Sequence, residues 1–276
     1  RGLGDVYKRQ PLDSTGDIAK INCIDISDKP RFAWRGLMLD VSRHFFTKQE
    51  VKRFIDLMAE YKYNVFHWHL SDDQGWRVEI KSLPRLTDVG AWRAPRVGNW
   101  WEREPQSVTD SLTYGGFYTQ DDIREVVEYA RERFITVVPE IDVPGHSMAL
   151  LTAYPEISCT GGPFHVNVGN TFYTKEENSL CVGKEKTFAI LDMIFDELVD
   201  LFPSSYIHIG GDECYKGFWA KCPDCRARMS SKQLQNVEEL QSYFVKRVAS
   251  HMQSKGKHVI GWDEILEGGL AKDAIV

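Results

Sequence analysis

The sequence predicts an α/β fold of the (β/α)8 barrel type, incomplete in this chain, with about five to six of the eight strands present. Two observations carry that reading. Apolar strand-type runs alternate with amphipathic helical runs along most of the chain, the pattern of parallel strands joined by helical crossovers. Acids, histidines and tryptophans also gather just after the ends of successive strands. In a barrel those strand ends share one face, and that face carries the active site.

The elements follow in order. Arg35–Val41 reads as a strand. A helix follows, with Val51, Phe54, Ile55, Met58 and Tyr61 on one face and Thr47 and Glu50 spaced as a capping box. Asn64–Leu70 is the second strand. Thr119 opens the next amphipathic helix, and Phe134–Ile141 is the third strand. The run TFAILDMIFDELVDLF is a helix that Pro203 helps to stop, and Tyr206–Gly210 is the fourth strand. A helix from about Val237 to Lys255 ends at Gly256. His258–Trp262 is the fifth strand, and Ala274–Val276 begins a sixth. An open doubly wound sheet has the same alternation. No G-x-G-x-x-G follows the first strand, and five populated strand ends fit a barrel better than one switch point.

The chain of 276 residues is read as one partial catalytic barrel over residues 30–276. Residues 1–29 are read as a leader, artefactual in its first ten residues, followed by the remnant of a small α/β domain in DIAKINCIDISDKP. The net charge of -6 and the lack of a basic stripe argue against nucleic acid as a partner. No apolar run approaches the ~20 residues of a membrane span. A chain with 12% aromatic residues and eight tryptophans suits sugars, whose flat apolar faces stack on indole. The long loops Ser71–Tyr118 and Asp142–Gly183 are read as functional, because the first carries Trp76, Trp92, Trp100 and Trp101, although any single tryptophan reads as core before its position is known.

The most informative stretch is YIHIGGDECY, Tyr206–Tyr215. Neighbouring side chains on a strand face opposite ways, so Asp212 and Glu213 share a cavity only if the chain bends. Gly210 and Gly211 allow that bend. Two adjacent carboxylates repel when both are ionised, so one needs a raised pKa or a dedicated donor. A protonated acid in a Trp-lined cleft points to glycoside cleavage. The usual pairs of glycosidase carboxylates flank the sugar, and sequence neighbours rarely straddle a ring. The scheme that suits neighbours is substrate assistance. The sugar's 2-acetamido oxygen attacks its own anomeric carbon, one acid protonates the leaving oxygen, and the other holds the acetamido nitrogen.

The ordered motifs WRGLMLDVSRHFF, HWHLSDDQGWR, VVPEIDVPGHSMA, HIGGDE and GWDEI resemble the catalytic barrel of glycoside hydrolase family 20, the β-N-acetylhexosaminidases. The resemblance runs from about Pro30 to the last residue. It implies Glu213 as general acid/base and Asp212 as the group that orients the acetamido. It implies Arg43 as a forked donor to the sugar 3- and 4-hydroxyls, and Asp72, Asp142 and His146, with His69, as support for the pocket and its hydrogen bonds. Trp262 would line the acetamido pocket. The substrate partner it implies is a carbohydrate with a terminal, non-reducing, β-linked GlcNAc or GalNAc, cleaved with retention through an oxazolinium intermediate without cofactor or metal. A periplasmic or secreted location is also implied.

Other readings stay open at this point. His67, His69, Asp142, His146, His208 and Asp212 could serve a metal-dependent barrel hydrolase. Glu264 is a pocket-rim acid or a second catalytic carboxylate. The chain could also be a catalytically silent carbohydrate-binding module. Of the six cysteines, Cys222 and Cys225 form a C-x-x-C, half of a zinc site for which Cys214 is a third candidate. Free thiols or a disulfide are the alternative. Cys159 and Cys181 bracket one loop, and the resemblance implies a loop disulfide there.

Overall fold

A computed structural model describes Asp25, Ser27 and residues 29–169 and 174–276. The leader and domain remnant read for residues 1–29, and Cys23, fall almost wholly outside the described residues. Five parallel strands form one sheet in chain order: β1 (Gly36–Asp40), β2 (Val65–Asp72), β3 (Thr136–Ile141), β4 (Tyr206–His208) and β5 (His258–Ile260). Helices α1 (Lys48–Glu60), α2 (Gln120–Glu132), α3 (Glu185–Leu201) and α4 (Val237–Ser254) occupy the four crossovers. Sequential order with every neighbouring pair parallel is the winding of a barrel. Ile275 forms a parallel bridge to Ile260, where the sequence places the start of a sixth strand. No helix among the described residues is long and apolar enough to cross a membrane.

Local sequence explains the helix starts. Thr47 and Glu50 form the expected reciprocal capping box on α1, and Thr119 and Asp122 form a second one on α2. Such caps stabilise a helix by about 1 kcal/mol each.

The period of two along β2 divides the molecule into layers. Phe66, Trp68 and Leu70 are fully buried in the apolar core, with Phe66 stacked on Trp68 at 5.6 Å. His67, His69 and Ser71 alternate with them and face the sheet's inner side. Along β3 the inner positions are Val138 and Glu140, with Asp142 just beyond the strand. The barrel interior is thus polar toward the strand ends, and the apolar core lies between sheet and helices. An open cleft of about 350 Å³ runs along the inner face, lined among others by Trp34, Met38, His67, Val138, His208 and Trp262.

The first, fourth and fifth strands stop short of their predicted C-terminal ends, the second runs on to Asp72 past the predicted Leu70, and the third ends at Ile141 as predicted. The fourth stops at His208 and not Gly210, because Gly210 and Gly211 take φ values of +67° and +93°. The fifth stops at Ile260. Trp76, in the loop read as functional, is a core residue with its indole N–H donated to the Val78 carbonyl at 2.6 Å. Trp92 and Trp100 are half-buried, and Trp101 is exposed.

The loop Ser71–Tyr118 is held by an unusual anchor. Arg77 is completely buried, and its guanidinium donates to the carbonyls of Val41, Ser42, Gln74, Ala91 and Gly116. Burial lowers its pKa to about 10, with Arg93 adding to the effect. The anchor joins the loop after β2 to the turn after β1, where Arg43 stands.

Candidate active site

Each strand end delivers a piece of one polar network. After β1, the Asp40 carboxylate accepts from the backbone N–H groups of Ser42 and Arg43 at 2.9 and 3.0 Å, which turns the chain back on itself. Arg43 is held between two acids, Nη1 to Asp40 at 2.8 Å and Nη2 to Asp72 at 2.7 Å. Burial opposes its charge, but Asp72 and Asp40 prevail and raise its pKa. Nη1 also lies 3.3 Å from His69 Nε2, which leaves one N–H on Nη2 and the Nε–H for a ligand, a planar fork suited to vicinal hydroxyls.

Asp72, at the end of β2, is the buried hub. Besides Arg43, its carboxylate faces His69 Nε2 at 2.9 Å and His146 Nδ1 at 3.2 Å. Burial opposes the carboxylate, but His146, His69 and Arg43 hold its pKa below the usual range. His69 Nδ1 donates to Glu140 at 2.6 Å. Burial works against a charged His69 ring, and Glu140 with Asp72 overcomes it, so its pKa lies well above the usual value. Each ring nitrogen of His69 therefore faces a carboxylate, Nδ1 to Glu140 and Nε2 to Asp72.

Glu140 is the residue that sequence reasoning missed. Fully buried, it accepts from His67 Nε2 at 2.7 Å and from the Trp262 indole at 3.1 Å, and His208 Nδ1 lies 3.1 Å away. One carboxylate thus orients two histidines and the tryptophan read as a pocket wall, while His208 Nδ1 beside it accepts from the Gly210 N–H at 3.0 Å. An acid within VVPEI, two residues before Asp142 and on the same face of the strand, was the available signal. Trp262 itself is 36% exposed, with its ring 4.8 Å from that of His208.

The acid pair stands beyond β4. Two glycines with positive φ and Glu213 at φ 44° take the chain out of strand geometry. Gly210 has a further reason to be glycine, since a Cβ there would lie 1.9 Å from the Asp142 carboxylate. Gly145 is also constrained, though less: its added Cβ would meet the Asp212 carbonyl at 2.9 Å. The DVPGH turn is therefore packed directly against GGDEC. His146, with φ 47°, lies between them. Its Nε2 is 3.4 Å from Glu213 Oε2 and 3.8 Å from Asp212 Oδ2. Burial disfavours its charge, but Asp72 dominates and raises its pKa far above that of free histidine. Burial pushes the Asp212 carboxyl up, with His146 opposing and Glu140 and Asp72 assisting. Burial also pushes Asp142 well up, and its Oδ1 accepts from the Gly211 N–H at 3.3 Å. His146 Nε2 and Asp212 Oδ1 are buried without a hydrogen-bond partner, as expected of groups whose partner is a ligand.

Arg43, His69, Asp72, Asp142, His146, Asp212 and Glu213 are thereby linked in one constellation, with Trp262 joined through Glu140. Glu264 is not. It lies in the one-turn helix Asp263–Leu266, half-buried, and among the described residues its carboxylate has no hydrogen-bond or ion-pair partner. The expected loop disulfide is absent, since Cys159 and Cys181 are free, as are Cys214, Cys222 and Cys225.

Comparisons with known proteins identify the family. The family model described as glycosyl hydrolase family 20, catalytic domain, matches residues 32–276. A β-hexosaminidase of Porphyromonas gingivalis is 47% identical over 92% of this chain and 30% of its own length. One of Vibrio furnissii is 44% identical over 95% of the chain and 42% of its own length. The crystal structure of a Vibrio harveyi exo-β-N-acetylglucosaminidase with N-acetylglucosamine superposes with a TM-score of 0.76 at 40% identity, over 90% of this chain and 38% of that one. The chain spans less than half the length of these relatives. A match over nearly the whole chain, on the motifs that build the acid pair, leaves one assignment: the chain belongs to glycosyl hydrolase family 20 and carries part of its catalytic barrel.

Proposed function

We propose that a protein carrying this chain removes terminal, non-reducing, β-linked N-acetylhexosamine from oligosaccharides or glycoconjugates, with retention and with the sugar's own acetamido group as nucleophile. The observation that carries the reading is the pairing of Asp212 and Glu213 on one histidine beyond one strand. Sequence neighbours that face the same imidazole suit two tasks on one side of a sugar.

In the first step the acetamido oxygen forms a bond to the anomeric carbon as the glycosidic bond breaks. Glu213, 56% exposed at its side chain, gives its proton to the leaving oxygen. Asp212 accepts the acetamido N–H as positive charge develops on that nitrogen. In the second step the Glu213 carboxylate takes a proton from water, which attacks the anomeric carbon while the acetamido oxygen leaves. Two displacements at one carbon return the original configuration. The proposal assigns the Arg43 fork to the hydroxyls on the far side of the ring and Trp262 to the acetamido methyl. Glu140 and Asp72 act through the groups they orient. The sugar bound in the Vibrio harveyi structure, N-acetylglucosamine, is of the class this site would release.

The test compares aryl β-glycosides of N-acetylglucosamine and of glucose, cleaved by this chain and by a version extended to a closed barrel. Cleavage of the N-acetyl substrate alone supports the proposal. Equal cleavage of both would remove the acetamido from the mechanism and give the second role to Glu264.

A further inference from the structure

Four cysteines distant in sequence meet at one point. Cys159 and Cys181 belong to the loop after β3. Cys222 and Cys225 stand at the start of the helix Pro223–Lys232, in the segment after β4. Their sulfurs all lie within 4.8 Å of one another. Cys181 Sγ is 3.7 Å from Cys222 Sγ and 3.6 Å from Cys225 Sγ, and Cys159 Sγ is 3.7 Å from Cys225 Sγ. Three of the four residues are buried and Cys159 is half-buried. Cys214, the third ligand expected from sequence, is not a member.

A disulfide needs sulfurs at ~2.05 Å, and these are too far apart for one. Zinc–thiolate bonds of ~2.3 Å in a tetrahedron place sulfurs about 3.8 Å apart. The three closest separations match that edge. The surrounding structure holds the four residues in place from both segments. Trp219 donates its indole N–H to the Leu180 carbonyl at 2.9 Å, and Arg228 donates to the Gly183 carbonyl at 3.1 Å. A Cβ on Gly183 would lie 2.3 Å from the Cys225 nitrogen, so glycine alone permits the two segments to approach this closely. Glu177, buried, accepts from the Cys159 N–H at 2.6 Å. Lys184 donates to the Ser158 carbonyl at 2.6 Å. Lys184, Arg228 and the helix N-terminus place positive charge near four thiolates.

We infer that Cys159, Cys181, Cys222 and Cys225 bind one tetrahedral zinc ion, which clamps the loop bearing Asp142 and His146 to the segment bearing Asp212 and Glu213. With all four positions filled by protein sulfur, the ion has no open site for water or substrate, so its role is structural. It stands apart from the glycosidase reading, which needs no metal.

The chain, purified under reducing conditions without added metal or chelator, is analysed for bound metal and for free thiols. The inference predicts about one zinc per chain, released by a mercurial thiol reagent and detected with a zinc-binding dye. Cobalt(II) in its place gives thiolate-to-cobalt charge transfer and the strong visible bands of a tetrahedral site. Cys181→Ser and Cys225→Ser each weaken zinc binding by more than the ~10–100-fold typical of changes around a metal's ligands, whereas Cys214→Ser retains it. Zinc at trace level with all thiols free would overturn the inference, and so would an intact mass showing two disulfides. Full zinc retention in both cluster variants would overturn it as well. The cobalt spectrum and thiol count of the unmodified chain decide the matter if the variants fail to fold.

Discussion

His146 Nε2 faces Glu213 Oε2 at 3.4 Å and Asp212 Oδ2 at 3.8 Å, so a single imidazole serves both members of the acid pair. Its other nitrogen is fixed by Asp72 at 3.2 Å. A charged ring there stabilises each carboxylate when it is ionised. Removing that charge raises carboxyl pKa values. His146→Phe is therefore expected to lower kcat/KM on the order of 10²-fold and to move the acidic limb of its pH profile upward. An unmoved acidic limb would show that His146 has no electrostatic hold on the pair.

Glu213→Gln removes the proton donor while keeping its shape. The expected loss is ~10²–10⁴-fold on an alkyl glycoside, and much less on an aryl glycoside whose leaving group needs little protonation. Equal losses on the two substrates would count against Glu213 as the general acid.

Asp72 links the site to acid stability. Its folded pKa lies below that of a free aspartate because His146, His69 and Arg43 outweigh burial. Its contribution is in place above the unfolded value of about 3.9 and is lost as pH falls from there through the folded pKa. His146, raised in the folded state, contributes in the opposite direction. Its stabilisation is complete below about 6.5 and persists well above neutrality. Urea midpoints of the unmodified chain should therefore drop below pH ~4, and the slope should flatten in Asp72→Asn. Parallel slopes for both proteins would contradict the assignment.

Gly210 and Gly256 both have positive φ, +67° and +74°, but only Gly210 has a carboxylate where its Cβ would go. Gly256→Ala should cost about 1–2 kcal/mol, the left-handed penalty alone. Gly210→Ala should cost clearly more and should also disturb activity, because Asp142 must move. Equal midpoint shifts in thermal unfolding would show that the site tolerates that displacement.

The barrel order was legible because strands and helices keep their periods of 2 and 3.6, and caps such as Thr47–Glu50 are local. The acid pair was legible because two glycines before two acids is a local signal too. What escaped depends on packing between distant segments. Glu140 looks like any strand acid until three histidines from two other strands close on it. Trp76 carries no mark that separates a core indole from a cleft one. The cysteines misled most: Cys159 and Cys181 suggested each other, and Cys214 suggested Cys222 and Cys225. The meeting of 159, 181, 222 and 225 rests on the approach of Gly183 to the Asp224–Cys225 backbone, which no spacing rule contains.

The central claim is that the substrate's acetamido oxygen is the nucleophile, with Asp212 as its partner. The most direct measurement is the rate of aryl glycoside cleavage, by the barrel-extended protein, as fluorine replaces hydrogen on the acetamido methyl. Each fluorine drains electron density from the amide oxygen. The account predicts a steep, graded fall in kcat/KM across the series, and a shallower one in Asp212→Asn. A flat series, with equal rates on the N-acetyl and N-trifluoroacetyl substrates, would contradict it.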